Sequence, residues 1–174
     1  MKIVEARVHG LVIEPVEQQH GVVLRERDGE RVLPIWIGPA EAMAIRRLIT
    51  GEAFPRPLTY DLFGLVVEGL KARVTRVVIS DLREGTYFAS LFIERDNQVL
   101  SIDARPSDSI AIALRTRAPI FVNEELLQAP PEQPATQEPP PETPPPAPTD
   151  EEKAEQLRRF LEKLNPEDFG KFQM

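Results

Sequence analysis

Residues 32–45 read VLPIWIGPAEAMAI, and residues 99–112 read VLSIDARPSDSIAI. Laid over one another with an offset of 67 residues, the strings share Val, Leu, Ile, Pro, Ala and Ile in register. An acid, Glu41 or Asp108, stands at the fifth-from-last place of each. Both open on apolar and β-branched residues that suit a strand. Both then turn at a proline, which suits the first position of a helix because its missing N–H would be unpaired there anyway. The match implies an internal duplication, with two strand-strand-strand-helix units and two equivalent strand-to-helix turns.

The flanking sequence fills out both units. In the first, Ile3 to Ile13, His20 to Arg27 and Arg31 to Ile37 carry strand composition, Asp28-Gly29 supplies a hairpin turn, and Gly51 closes the helix that Pro39 opens. In the second, the strands are Ala72 to Leu82, Thr86 to Arg95 and Val99 to Ala104, joined by Glu84-Gly85 and Asp96-Asn97. A helix from Pro106 and a short strand, Pro119 to Val122, complete it. Between the units, TYDLFGLVVEGL (59–70) is expected to form a helix capped by Thr59, with Leu62, Leu65, Val66 and Leu70 as its apolar stripe. The expected fold is α+β, a mixed or antiparallel sheet with helices. Its core should hold Leu33, Ile35, Ala44 and Ile45, and their counterparts Leu100, Ile102, Ala111 and Ile112.

This domain should span residues 1–128. Residues 129–149 hold ten prolines and no large apolar residue, the composition of an extended spacer. Residues 150–174 follow as an amphipathic helix and tail, in which Leu157, Phe160, Leu161 and Leu164 fall on one helical face. The formal charge of -7 belongs mostly to this end: residues 1–128 carry 16 basic against 18 acidic side chains, residues 129–174 carry 5 against 10. A nearly neutral domain leaves room for a local phosphate site, although phosphate binding normally draws on excess Lys and Arg.

The composition narrows the chemistry. Without cysteine, disulfides, thiolate metal sites and cysteine nucleophiles are excluded. The N-terminus lacks signal-peptide features and no apolar run approaches a membrane span, so a cytoplasmic protein without membrane partners is expected. Walker A, Gly-x-Gly-x-x-Gly and Gly-x-Ser-x-Gly motifs are missing. His9 and His20 have no metal-ligand spacing. Glu41 and Asp108 suit helix starts, where free amides and the helix dipole favour a carboxylate. If the two starts share a cleft, the same acids are candidate catalytic groups and candidate ligands for Mg or Mn. Asp103 joins them, since it holds a carboxylate where the first unit has Trp36. Asp61 and Asp81 are further oxygen donors. Arg56, Thr59 and Arg105 are candidate substrate-binding residues, the two arginines as phosphate clamps.

Three blocks, LPIWIGPAEAMAI (33–45), RPLTYDLF (56–63) and DARPSDSIAIALRTRAPIFVNEELL (103–127), resemble the signature segments of the bifunctional nuclease domain family in order and spacing. The resemblance implies hydrolysis of phosphodiester bonds in DNA and RNA, and a homodimer. Tyr60 departs from the pattern, which often has histidine there; a tyrosine donates a hydrogen bond but is a poor base near neutral pH. Two readings follow, a metal-assisted nuclease acting on DNA or RNA and a non-enzymatic regulatory module whose C-terminal helix docks on a protein partner. In either case, deleting residues 129–174 should leave the domain folded and any intrinsic cleavage intact. A fall of several degrees in melting temperature on truncation would place the tail helix in the core instead.

Overall fold

The computed structural model describes residues 1–130; the spacer beyond 130 and the tail helix lie outside them. Strands β1 (Ile3–Ile13), β2 (His20–Glu26) and β3 (Val32–Ile37) lead into helix α1 (Pro39–Thr50). Helix α2 (Thr59–Gly69) bridges to β4 (Arg73–Arg83), β5 (Thr86–Arg95), β6 (Gln98–Ala104) and helix α3 (Pro106–Thr116). Strand β7 (Ile120–Asn123) and a 3-10 turn (Glu124–Leu126) follow. The strands form one seven-stranded mixed sheet in the order β3-β2-β1-β7-β4-β5-β6. Strand β7 runs antiparallel to β1 and parallel to β4, so it joins two antiparallel meanders that point in opposite directions.

The repeated β-β-β-α unit is therefore visible in the fold. Helices α1 and α3 both begin at a proline after an extended residue, Gly38 or Arg105. Both end on a left-handed residue, Gly51 at φ 69° and Arg117 at φ 58°. The hairpins differ. Asp96-Asn97 has φ 50° and 60°, the geometry of a two-residue type I′ turn. Asp28-Gly29 instead lies within a wider loop closed by the Glu26 N–H to the Arg31 carbonyl at 2.9 Å. The longer loop shifts the first hairpin by two residues: Ile35 faces Val22, whereas Ile102 faces Leu91.

The sheet curves strongly. Tyr87 on β5 brings its hydroxyl to 3.5 Å from the Pro34 carbonyl on β3, although a flat sheet would hold those strands ~24 Å apart at the usual ~4.8 Å spacing. Inside the curve, Val22, Leu24, Leu33, Ile35, Ile45, Val77, Ile79, Leu91, Ile110 and Val122 form one apolar cluster. At the β3 edge the chain closes on itself. The backbones of Val32 and Gln128 exchange two 2.8 Å hydrogen bonds. Arg31 donates to Glu26 at 2.7 and 2.9 Å and to Glu124 at 3.0 Å, which ties the end of the domain to its first hairpin.

Two packing expectations are corrected. Leu33 and Ile35 are buried, but their counterparts Leu100 and Ile102 are 54% and 42% exposed, and Ala44 is only half-buried. Both strands are edges of the sheet, but β3 is bridged at Val32 by Gln128, whereas every residue of β6 before Ala104 is exposed. Helix α2 also turns a different face inward. Gly64 and Val67 are buried, with Tyr60 and Phe63 packed against the core, while Leu62, Leu65, Val66 and Leu70 are exposed. Both sets obey helical spacing. Gly64 lies on the side facing α3, where a Cβ would make only ordinary contact with Arg115 Cγ at 3.6 Å.

These differences predict unequal effects at equivalent positions. Ile45→Ala should cost about 2–5 kcal/mol in chemical denaturation, as expected for a fully buried branched side chain. Leu100→Ser should change stability by no more than about 0.5–1 kcal/mol.

Candidate functional site

The turns from β3 into α1 and from β6 into α3 come together in space, and the start of α2 lies against the second. Gly38 allows the Glu41 side chain to fold back over the turn, because a Cβ on Gly38 would overlap its carboxylate. Arg105, the extended residue before α3, reaches across. Its Nε and one terminal nitrogen donate to the two oxygens of Asp108 at 2.7 and 3.0 Å. Its other terminal nitrogen donates to Glu41 Oε1 at 3.1 Å. From α2, the Tyr60 hydroxyl donates to Asp108 Oδ1 at 2.8 Å. The acids of both repeats are thus joined through one guanidinium.

The environment fixes the charge of each group. Burial raises the Asp108 pKa, but the Arg105 guanidinium and the Tyr60 hydroxyl outweigh burial and leave it below the usual aspartate value. Arg105 is held even more firmly protonated by Asp108 and Glu41. Burial, and then the Asp108 carboxylate, push Tyr60 up to about 12. Tyr60 is therefore a proton donor at neutral pH and not a base. The Arg105 side chain remains 64% exposed, so it can be approached by a ligand. A cleft of about 310 Å³ opens beside it, lined by Trp36, Gly38, Glu41, Tyr87, Arg105 and Ser107.

The other sequence candidates stand apart. Asp103 is exposed on β6 opposite Ser90 and bonds to no described side chain. Arg56 is exposed in the loop before α2 and is likewise unpaired among the described residues. Thr59 does not cap α2: Leu58 holds the cap position, and the Asp61 carboxylate accepts the Leu58 N–H at 3.0 Å. Asp61 also accepts from Arg115 Nε at 2.6 Å, locking α2 to α3, while Asp81 pairs locally with Arg83 at 2.6 Å. Among the described residues no group of three His, Cys, Asp or Glu side chains is placed to hold a metal ion. The expected Mg or Mn ligands Glu41, Asp103 and Asp108 are not gathered into one such group in this structure. Asp103 is separate, and Arg105 donates to both Asp108 oxygens and to Oε1 of Glu41.

The three blocks that resembled a known family are therefore the three that converge: Glu41 comes from the first, Tyr60 from the second, Arg105 and Asp108 from the third. Residues 22–133 match the family model of the bifunctional nuclease domain. The chain belongs to the bifunctional nuclease domain family. It is 41% identical over 169 residues to an uncharacterized protein of Mycobacterium tuberculosis, covering 95% of this chain and 97% of that protein. It is 31% identical over 109 residues to bifunctional nuclease 1 of Arabidopsis thaliana, covering 60% of this chain and 34% of the plant protein. A rice protein, bifunctional nuclease 2, is 28% identical over 130 residues, covering 72% and 40%. The chain thus spans well under half of these plant relatives. No helix among the described residues is long and apolar enough to cross a membrane.

Its bond to Asp108 makes Tyr60 the member of this cluster that sequence reasoning undervalued. It registered there as a departure from histidine, and its partner, Asp108, lies 48 positions away. The linkage of this cluster to pH has a definite sign. A carboxylate whose folded pKa lies below 3.8 contributes stability above that pH and loses it as pH falls through the folded value. The destabilisation caused by Asp108→Asn should therefore be present at neutral pH and shrink as melts are taken below pH 3.8. A difference that stays constant, or grows in acid, would contradict the ion pairing described.

Proposed function

We propose that this chain hydrolyses phosphodiester bonds of DNA or RNA in the cleft where Glu41, Tyr60, Arg105 and Asp108 meet. The observation that carries the reading is the shared guanidinium. An exposed arginine poised between two carboxylates is preorganised to exchange one of them for a phosphate, whose oxygens it can take in the same forked geometry. When Arg105 turns to the phosphate, Glu41 is released beside the scissile group. Glu41 then accepts a proton from a water whose oxygen bonds to phosphorus as the P–O bond to the leaving sugar oxygen breaks, and that oxygen takes its proton from solvent water. Asp108 keeps the other side of the guanidinium in place, and Tyr60 holds Asp108. Positioning and charge complementarity supply the catalysis in this account.

A second reading, binding without cleavage, draws support from Tyr60, which donates a hydrogen bond and is a poor base near neutral pH. The open β6 edge, with no Lys or Pro along it, supports the homodimer as the state in which either activity operates. The test is cleavage of single- and double-stranded DNA and RNA by the purified full chain. Arg105→Ala and Glu41→Gln should each slow cleavage on the order of 100-fold, and Asp103→Asn should leave it within about threefold. Wild-type rates in both of the first two variants would remove this site from the reaction.

A further inference from the structure

Trp36 is the only tryptophan in the chain, and it lies outside the core. It sits on β3 on the face opposite Leu33 and Ile35, and 53% of it is exposed. Its six-membered ring lies over Gly21, its cross-strand partner on β2. A Cβ on Gly21 would come within 3.0 Å of Trp36 Cε3 and 3.1 Å of Cζ3, with Val12 Cγ2 also at 3.0 Å. The bare glycine lets the indole lie low across the strand, so the backbone sets its position.

Two clefts meet at this ring. One is the cleft of Glu41 and Arg105. The other, of about 470 Å³, is lined by Gln18, Gln19, His20 and Trp36 and contains no carboxylate. Two side-chain amides and an imidazole supply donors and acceptors beside an exposed aromatic surface. Those are the elements that recognise an unpaired nucleobase, a π-face to stack on and polar groups to meet its edge. Continuity with the Arg105 cleft supplies the phosphate that must accompany such a base.

We infer that Trp36 is a stacking platform for an unpaired nucleobase next to the phosphate at Arg105, with Gln18, Gln19 and His20 meeting the base edge. The inference rests on the phosphodiester reading above and narrows its ligand to single-stranded nucleic acid, because a base inside a duplex has no free face to offer. An aromatic content of only 6% is consistent with it, since one platform needs one ring.

The single tryptophan makes the test direct. The full chain is titrated with a single-stranded thymidine oligonucleotide of about twelve residues, then with the same strand in a duplex, while indole fluorescence is followed. The single strand should quench the emission, and the duplex should require at least roughly tenfold more. By anisotropy of a labelled strand, Trp36→Ala should weaken binding roughly tenfold or more, and Trp36→Phe should restore most of it. Equal behaviour of strand and duplex, or wild-type affinity in Trp36→Ala, overturns the platform. If that wild-type affinity is accompanied by loss of binding in Arg105→Ala, the phosphate site survives without the platform. If the unaltered chain binds neither form, both fail. A Trp36→Ala variant that loses self-association but keeps its oligonucleotide affinity assigns the ring to a second copy and overturns the inference.

Discussion

A single guanidinium, that of Arg105, is hydrogen-bonded to Asp108 in its own half of the domain and to Glu41 in the other half. Two carboxylates brought to one cleft repel each other and favour protonation of one of them. Placing a permanently charged arginine between them keeps Asp108 ionised and leaves an exposed cation at the surface. The duplication supplies two equivalent helix starts, and the curvature of the sheet brings them together. Arginine at the position before the second helix, where the first has Gly38, converts the pseudo-symmetric pair into one asymmetric site. Gly38 leaves room for Glu41 to turn back; Arg105 provides the charge that holds it.

The local rules were legible in the sequence. Prolines 39 and 106 begin their helices, Gly51 ends the first of them, and Asp96-Asn97 makes a tight turn, because each is decided within a few residues by backbone sterics. Burial across elements was less so. Leu100 and Ile102 repeat the pattern of Leu33 and Ile35, but periodicity records only which face of a strand a side chain occupies. Whether that face is covered depends on which other elements lie against it, which spacing along the strand does not record. On α2 two apolar stripes compete, and the one with Gly64 and Val67 is buried; both obey helical spacing, so periodicity alone does not choose between them.

The site was legible to the same degree. Glu41, Asp108 and Arg105 stood out through the repeat, while the metal grouping with Asp103 did not follow: equivalence in sequence to Trp36 placed it on the edge strand, exposed, instead of in the cleft. Trp36 entered only as the counterpart of Asp103, since nothing in its strand distinguishes it until Gly21 is seen opposite. Tyr60 joined the site only through a contact 48 residues distant, the kind of information that spacing along a chain does not contain. Tyr60 stays protonated at neutral pH and so holds Asp108 as a hydrogen-bond donor throughout that range.

The central claim is that Arg105 and Asp108 act as one unit, with Glu41 as third member. A double-mutant cycle on unfolding at neutral pH, combining Arg105→Ala with Asp108→Asn, tests it most directly. Coupled residues should give a double variant less destabilised than the sum of the two single changes, with a like result for Arg105→Ala and Glu41→Gln. Losses that simply add in both cycles would show that the guanidinium is not shared between the two halves, and would contradict the account.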